Sequence, residues 1–174
     1  EPEETMVDIC KEHAASPGIP PASAGTARLE GGRLALAPPR PFVEDLDRLA
    51  FPAFHLLPME RYHYFPVMGK RFAILESSRG CPARCTFCYL GMYGRKVRVK
   101  SVPRFLDEIE WTSMRHGVKN FYFMDLEFCL NRARTAEICR GILSRGLSVN
   151  WCCQTRVSDL DPELAALMRK SGCS

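Results

Sequence analysis

Phe72-Ala73-Ile74-Leu75-Glu76-Ser77-Ser78-Arg79-Gly80-Cys81-Pro82-Ala83-Arg84-Cys85-Thr86-Phe87-Cys88 is the stretch from which the rest of the chain is read. The apolar run Phe72 to Leu75 predicts a short buried strand. Ser77 to Gly80 leads out of it into a loop with three thiols in C-x3-C-x2-C spacing. Metals bind thiolates, and one flexible loop can wrap three of them round a single centre. Cuboidal iron–sulfur clusters take cysteine ligands in such runs, normally one per iron. Three ligands leave one iron open to a substrate or cofactor. Structural zinc is the competing occupant, but it wants four ligands, usually as two close pairs. Cys129, Cys139, Cys152, Cys153 and Cys173 lie far downstream and offer no second C-x2-C pair. Spacing therefore favours iron–sulfur, and zinc on the three thiols plus a histidine or Cys129 stands as the non-enzymatic alternative.

Downstream, the pattern alternates between strand and helix. Phe105, Ile109 and Met114 predict a helix from about Pro103 to Arg115, ended by Gly117. Phe121 to Met124 reads as a buried strand closed by Asp125, and 132–144 as a second helix. A third strand spans 147–153, and Asp161-Pro162-Glu163 opens a third helix that stops at Gly172. Three strand–helix units with buried strands predict an α/β fold, a partial parallel TIM-like barrel preceded by an irregular linker. Such sheets carry their chemistry at the C-terminal ends of the strands. The cysteine loop follows the first strand, Asp125 and Glu127 the second, and Gln154, Thr155 and Arg156 the third.

Upstream, residues 1–13 predict a short helix, the tail of a preceding domain, with Met6, Ile9, Cys10 and His13 at helical spacing and Cys10 packed. Residues 14–70 are rich in proline and glycine and read as a docked linker. Within them, alternation flanking Gly31-Gly32 predicts a small hairpin over Thr26 to Leu36. Residues 71–174 form the barrel portion.

Composition narrows the function classes. The 174 residues are 46% hydrophobic and 25% charged, with a net charge of +4. That is ordinary for a globular domain and too mild a charge to mark a nucleic-acid binder. No apolar run approaches the ~18 residues that would span a bilayer. Nine cysteines, three of them in one loop, fit a reducing cytoplasm with a metal site better than a disulfide framework. Ser77 to Leu106 holds no acid but seven cations: Arg79, Arg84, Arg95, Lys96, Arg98, Lys100 and Arg104. They would offset the negative charge of a thiolate-bound cluster. A solvated basic face is the competing reading. Without interleaved aromatics the stripe does not argue for RNA.

The cysteine loop, with Phe87 just before Cys88 and an apolar strand leading in, resembles the signature of the radical S-adenosylmethionine (radical SAM) enzymes. The resemblance is specific from Leu75 to Tyr89 and runs to the end of the chain. It implies that Cys81, Cys85 and Cys88 hold a [4Fe-4S] cluster whose open iron chelates SAM. Reductive cleavage of SAM to a 5′-deoxyadenosyl radical would follow. It also implies an external electron donor such as flavodoxin or ferredoxin, and a small-molecule substrate. The linker resembles the segment that follows a cobalamin-binding domain in one subclass. No Asp-x-His-x-x-Gly run is present, so cobalamin would be bound outside this chain. By the same resemblance, Phe87 packs by the cluster and Asp125, then Glu127, meets the SAM ammonium. Subclass members carry two adjacent acids there, where this sequence has Asp125-Leu126-Glu127. Arg156 would fork onto the SAM carboxylate or ribose. Helix or turn capping by Asp125 and an ion pair from Arg156 to Asp159 or Asp161 are the competing roles. Three units do not close a barrel, so this chain alone is expected to bind a cluster poorly.

Overall fold

The computed structural model describes residues 1–64, 69–89, 91 and 93–174. Residues 65–68 of the expected linker, and 90 and 92 beside the cysteine loop, lie outside the described residues. The chain divides into two compact units, Glu1–Glu44 with Gly91–Tyr93, and Asp45–Leu90 with Gly94–Ser174.

The first unit holds helix α1 (Pro2–Ala15) and the hairpin of β1 (Ala27–Glu30) and β2 (Arg33–Leu36). Its register, Glu30 opposite Arg33, puts the turn at Gly31-Gly32 as expected. The inward residue of α1 is Thr5, while Met6, Val7 and Cys10 are exposed, so the expected apolar stripe is not what seats the helix. Polar contacts seat it. The Arg40 guanidinium donates to Thr5 Oγ1 at 3.0 Å and pairs with Glu4 and Asp8.

The second unit begins with short 3-10 turns and the small antiparallel pair β3 (His63–Tyr64) and β4 (Gly69–Lys70). Its centre is a parallel sheet in the order β5 (Phe72–Leu75), β8 (Asn120–Phe123), β9 (Asn150–Cys153). Phe72 pairs with Asn120, and Asn120 with Asn150. Between β5 and β8 run an antiparallel arm, β6 (Ser78–Arg79) with β7 (Arg98–Val99), and helix α2 (Val102–His116). Helices α3 (Arg132–Ser144) and α4 (Pro162–Lys170) follow β8 and β9. Each helix starts where a side chain can cap it: Ser101, Asn131 and Asp161 accept from the N–H three residues on. Past α4, Gly172 adopts φ +103°, and a Cβ there would sit 2.0 Å from the Val149 carbonyl oxygen. Only glycine lets the chain turn back onto β9, where Cys173 bridges Trp151 in parallel.

The core is aromatic. Phe123 stacks on Trp151 at 5.0 Å and on Phe128 at 5.6 Å, and meets Phe105 edge-on at 5.0 Å. Ile109, Ile138, Ile142 and Leu164 close over them from the three helices. The strands differ from the fully buried runs expected. Phe121 and Phe123 are buried, but Ile74 and Met124 are 42% and 43% exposed and Tyr122 and Cys152 only half-buried. Pleat alternation sends these side chains to the face that no described helix covers.

The base of the arm is tied to α2 by a buried ion pair, Lys100 Nζ to Glu108 Oε2 at 2.5 Å. Burial pushes the Glu108 carboxyl up, and Lys100 opposes that rise. Removing one partner of a buried pair strands the other charge, whereas removing both does not. Glu108→Leu is therefore expected to cost about 3–5 kcal/mol, read from the denaturation midpoint. The double variant Lys100→Met, Glu108→Leu should recover most of the loss.

Candidate functional site

The C-terminal ends of the three parallel strands lie side by side, and two acids lace them together. Asp125, fully buried just past β8, reaches to the end of β5. Its Oδ2 accepts from Ser77 N at 3.0 Å, and its Oδ1 from Ser77 Oγ at 2.7 Å and from Ser78 Oγ. Glu127, two residues on, reaches to the end of β9. It accepts from Thr155 Oγ1 and, at 2.8 Å, from Arg156 N. A buried carboxylate is costly unless its oxygens are filled, and both are filled from the neighbouring strand exit.

Arg134 completes the arrangement from the first turn of α3. It donates to Ser77 Oγ at 3.0 Å, Ser77 O at 3.1 Å and Lys100 O at 3.0 Å. It thus grips the point where the chain leaves β5 and the point where the arm re-enters α2. Burial pulls its guanidinium down, and Asp125 opposes that. Sequence reasoning missed Arg134. The available signal was two cations, Arg132 and Arg134, in a helix's first turn, where the helix dipole disfavours positive charge.

The cysteine loop hangs from the β6–β7 arm. At its neck Gly80 has φ +92°, and a Cβ there would lie 2.2 Å from Lys96 O. Cys81 N donates to Gly94 O at 3.2 Å and Arg95 to Ala83 O at 2.8 Å. A turn from Cys85 O to Cys88 N, 3.1 Å, bends the far side. Cys81 is buried, Cys85 and Cys88 are exposed, and all three are free thiols. Among the described residues no three His, Cys, Asp or Glu side chains are gathered closely enough to hold a metal ion. Bringing three thiolates together is unfavourable until a metal compensates their charge, so ligand closure couples to binding. The donor set itself, three thiols on one short loop, is chemically suited to an iron–sulfur cluster.

The other expected site residues fall as follows. Phe87 is 92% exposed, outside the packed core. Asp125 and Glu127 are engaged by protein donors of the neighbouring strand exits, Asp125 by Ser77 and Ser78 and Glu127 by Thr155 and Arg156, and neither caps the turn that follows it. Arg156, half exposed, pairs with Asp159 at 2.7 Å and Glu127 at 3.4 Å, while Asp161 pairs with Arg132 at 2.6 Å. The basic stripe is largely structural at its ends. Arg79 pairs with buried-side Glu76, Lys100 with Glu108, and Arg104 lies over the Phe51 ring at 3.7 Å.

Comparison with known proteins agrees with this layout. The sequence profile described as the Radical SAM superfamily matches residues 75–174. The chain is 33% identical over 150 residues to an uncharacterized methyltransferase of Pyrococcus horikoshii, covering 86% of this chain and 32% of that protein. It is 38% identical over 143 residues to the anaerobic magnesium-protoporphyrin IX monomethyl ester cyclase of Rubrivivax gelatinosus, covering 81% and 25%. The chain thus spans a third or less of the length of these curated relatives. Its fold matches that of the cobalamin-dependent S-adenosylmethionine radical enzyme OxsB with a TM-score of 0.68 at 22% identity, over 99% of this chain and 26% of that one. A profile match over more than half of the chain, together with that fold, makes it a member of the radical SAM superfamily of enzymes.

Proposed function

We propose that the chain is the first part of a radical SAM catalytic barrel, with Cys81, Cys85 and Cys88 holding a [4Fe-4S] cluster. The observation that carries this reading is the position of the three free thiols. They lie on one loop leaving the C-terminal end of β5, beside two further strand exits laced to it by Asp125 and Glu127. When bound, the cluster supplies one electron that splits SAM into methionine and a 5′-deoxyadenosyl radical.

The chain's own residues would prepare that step. Arg134 and Asp125 fix the root of the cysteine loop. Arg156, half exposed at the end of β9, would meet the SAM carboxylate, a match of fork to acid. Glu127 would set the local charge for the SAM ammonium while holding Arg156 in place. Asp125, with its oxygens filled, would act behind the site. Phe87, exposed next to Cys88, would offer its ring to the adenine. The open sheet face carrying Ile74, Tyr122, Met124 and Cys152 would line the interior of the closed barrel.

The reaction served would be methyl transfer or another radical modification of a small molecule, with an external flavodoxin- or ferredoxin-like reductant and cobalamin bound by residues outside this chain. The methyltransferase and cyclase relatives and the cobalamin-dependent structural neighbour support that range. No helix among the described residues is long and apolar enough to cross a membrane. With nine free thiols, that supports a cytoplasmic setting.

Anaerobic reconstitution with iron and sulfide of a protein in which the rest of the barrel accompanies this chain should give a brown product with about four irons at this site, and dithionite with SAM should then yield 5′-deoxyadenosine, while this chain alone should retain far less iron. A colourless protein with one zinc on these thiols would overturn the reading. Alanine at Cys81, Cys85 or Cys88 should each abolish the cluster. Gly80→Ala, which pushes a Cβ into Lys96 O, should at least halve iron retention under chelator. Asp125→Ala strands Ser77 N and should lower stability by about 1–3 kcal/mol, measured by thermal melting.

A further inference from the structure

The hairpin of β1 and β2 carries its apolar side chains on the outside. Residues directly opposite in an antiparallel pair share a face, and so do residues two apart on one strand. Ala27 lies opposite Leu36, and Leu29 opposite Leu34. One face is therefore Ala27, Leu29, Leu34 and Leu36, with the three leucines 71%, 66% and 72% exposed. The other face is Arg28, Glu30, Arg33 and Ala35, of which Arg28 and Ala35 are half-buried. Arg28 pairs with Glu30 along the strand at 2.6 Å. The usual order of an antiparallel pair is inverted here: the polar face is the more covered one and the leucines meet solvent.

The unit that carries the hairpin has little apolar packing of its own. Of residues 1–44, only Thr5 and Val43 are buried. Met6 and Val7 of α1 and Ile19 beyond it are exposed as well. Polar contacts stand where a core would be. Arg40 meets Thr5, Glu4 and Asp8, Glu12 accepts from Ala22 N at 2.8 Å, and Glu1 accepts from Val43 N at 2.7 Å. Part-exposed ion pairs contribute little, and a lone two-stranded hairpin is marginal in water. A leucine face of this kind marks an interface.

Area and chain length decide the occupant. Three leucines and an alanine offer on the order of 300 Å² of apolar surface, against the about 800 Å² per partner of a stable free-standing complex. That is too little for a second copy to hold by this face. It is enough for an occupant on the same polypeptide, because a tether raises the local concentration to the millimolar range. This chain spans 32% and 25% of its two curated relatives, and the fold match to OxsB takes in 99% of it within 26% of one chain.

We propose that Leu29, Leu34 and Leu36 form an intramolecular docking face, covered by an apolar element that the full-length polypeptide supplies from outside residues 1–174. The occupant presents aliphatic or aromatic side chains, since a charge set against the leucines would lose its water and gain no partner. Arg28, Glu30 and Arg33 supply a polar rim at the turn end of the hairpin. Among the described residues neither β1 nor β2 pairs with a further strand. Their outer edges are thus open to a strand of the occupant as it covers the face. The inference stands apart from the cluster and from SAM.

The test uses the purified full-length protein, without iron. Hydroxyl-radical footprinting with mass spectrometry reads side-chain exposure directly. Oxidation of Leu29, Leu34 and Leu36 should run at least about fivefold slower than in the urea-unfolded protein, because an interface core packs like a protein interior and excludes water. A rate close to the unfolded one, as exposures of 66–72% would give, would overturn the proposal. The occupant is then identified by photo-crosslinking of Leu29→p-benzoyl-phenylalanine, Leu34→p-benzoyl-phenylalanine and Leu36→p-benzoyl-phenylalanine, each in a mixture of light and nitrogen-15-labelled protein. The expected product joins the probe to a peptide outside residues 1–174 of the same molecule. A mixed light–heavy product, which shows a second copy, would overturn it. So would a product within residues 1–174, or no product at any of the three positions. Footprinting of the unmodified protein keeps the proposal open to refutation even where a probe variant fails to fold.

Discussion

The fully buried carboxylate of Asp125 is the contact on which the rest of the rim depends. A charge in that position is tolerable only because every neighbouring donor is aimed at it. Ser77 gives its N–H and its hydroxyl, Ser78 gives its hydroxyl, and the Arg134 guanidinium sits behind Ser77. These bonds join residues 77, 125 and 134 across three elements. They fix where β5 ends and hence where the cysteine loop begins. A hydrophobic residue at 125 could fill the space but would leave the Ser77 N–H with nothing to bind, and the loop's root would lose its fixed direction.

The polar arm beneath the loop follows the same logic. Arg79, Arg98 and Lys100 are buried, which an exposed hairpin would never demand. Glu76 and Glu108 compensate Arg79 and Lys100, and Arg134 adds bonds to the carbonyls of Ser77 and Lys100. Cations that look in sequence like a screen for an anionic cluster are thus in good part the struts of the loop's support. Inside the loop, Arg95 donates to a carbonyl of the loop itself, Ala83 O, at 2.8 Å.

The sheet divides labour between its two faces. One is a dry aromatic layer of Phe121, Phe123 and Trp151 under the helices. The other shows Ile74, Tyr122 and Met124, apolar groups that a parallel sheet normally keeps covered. The two acids stand at the ends of these strands, where both faces meet the rim.

Much of this was legible from residues alone. The apolar runs at 72–75 and 121–123, the caps at Asp161 and Gly172, and the Gly31-Gly32 hairpin follow from local chemistry: periodicity, side-chain capping and backbone freedom act within a few residues. The C-x3-C-x2-C spacing is equally local. Tertiary structure alone decided what the acids do. Asp125 and Glu127 look like cofactor ligands in sequence because nothing nearby in the chain satisfies them, yet their partners, Ser77 and Thr155, lie 48 and 28 residues away. Arg134's grip on Ser77 is likewise a product of strand adjacency. That adjacency depends on which segments pair, a long-range choice that no window of sequence contains.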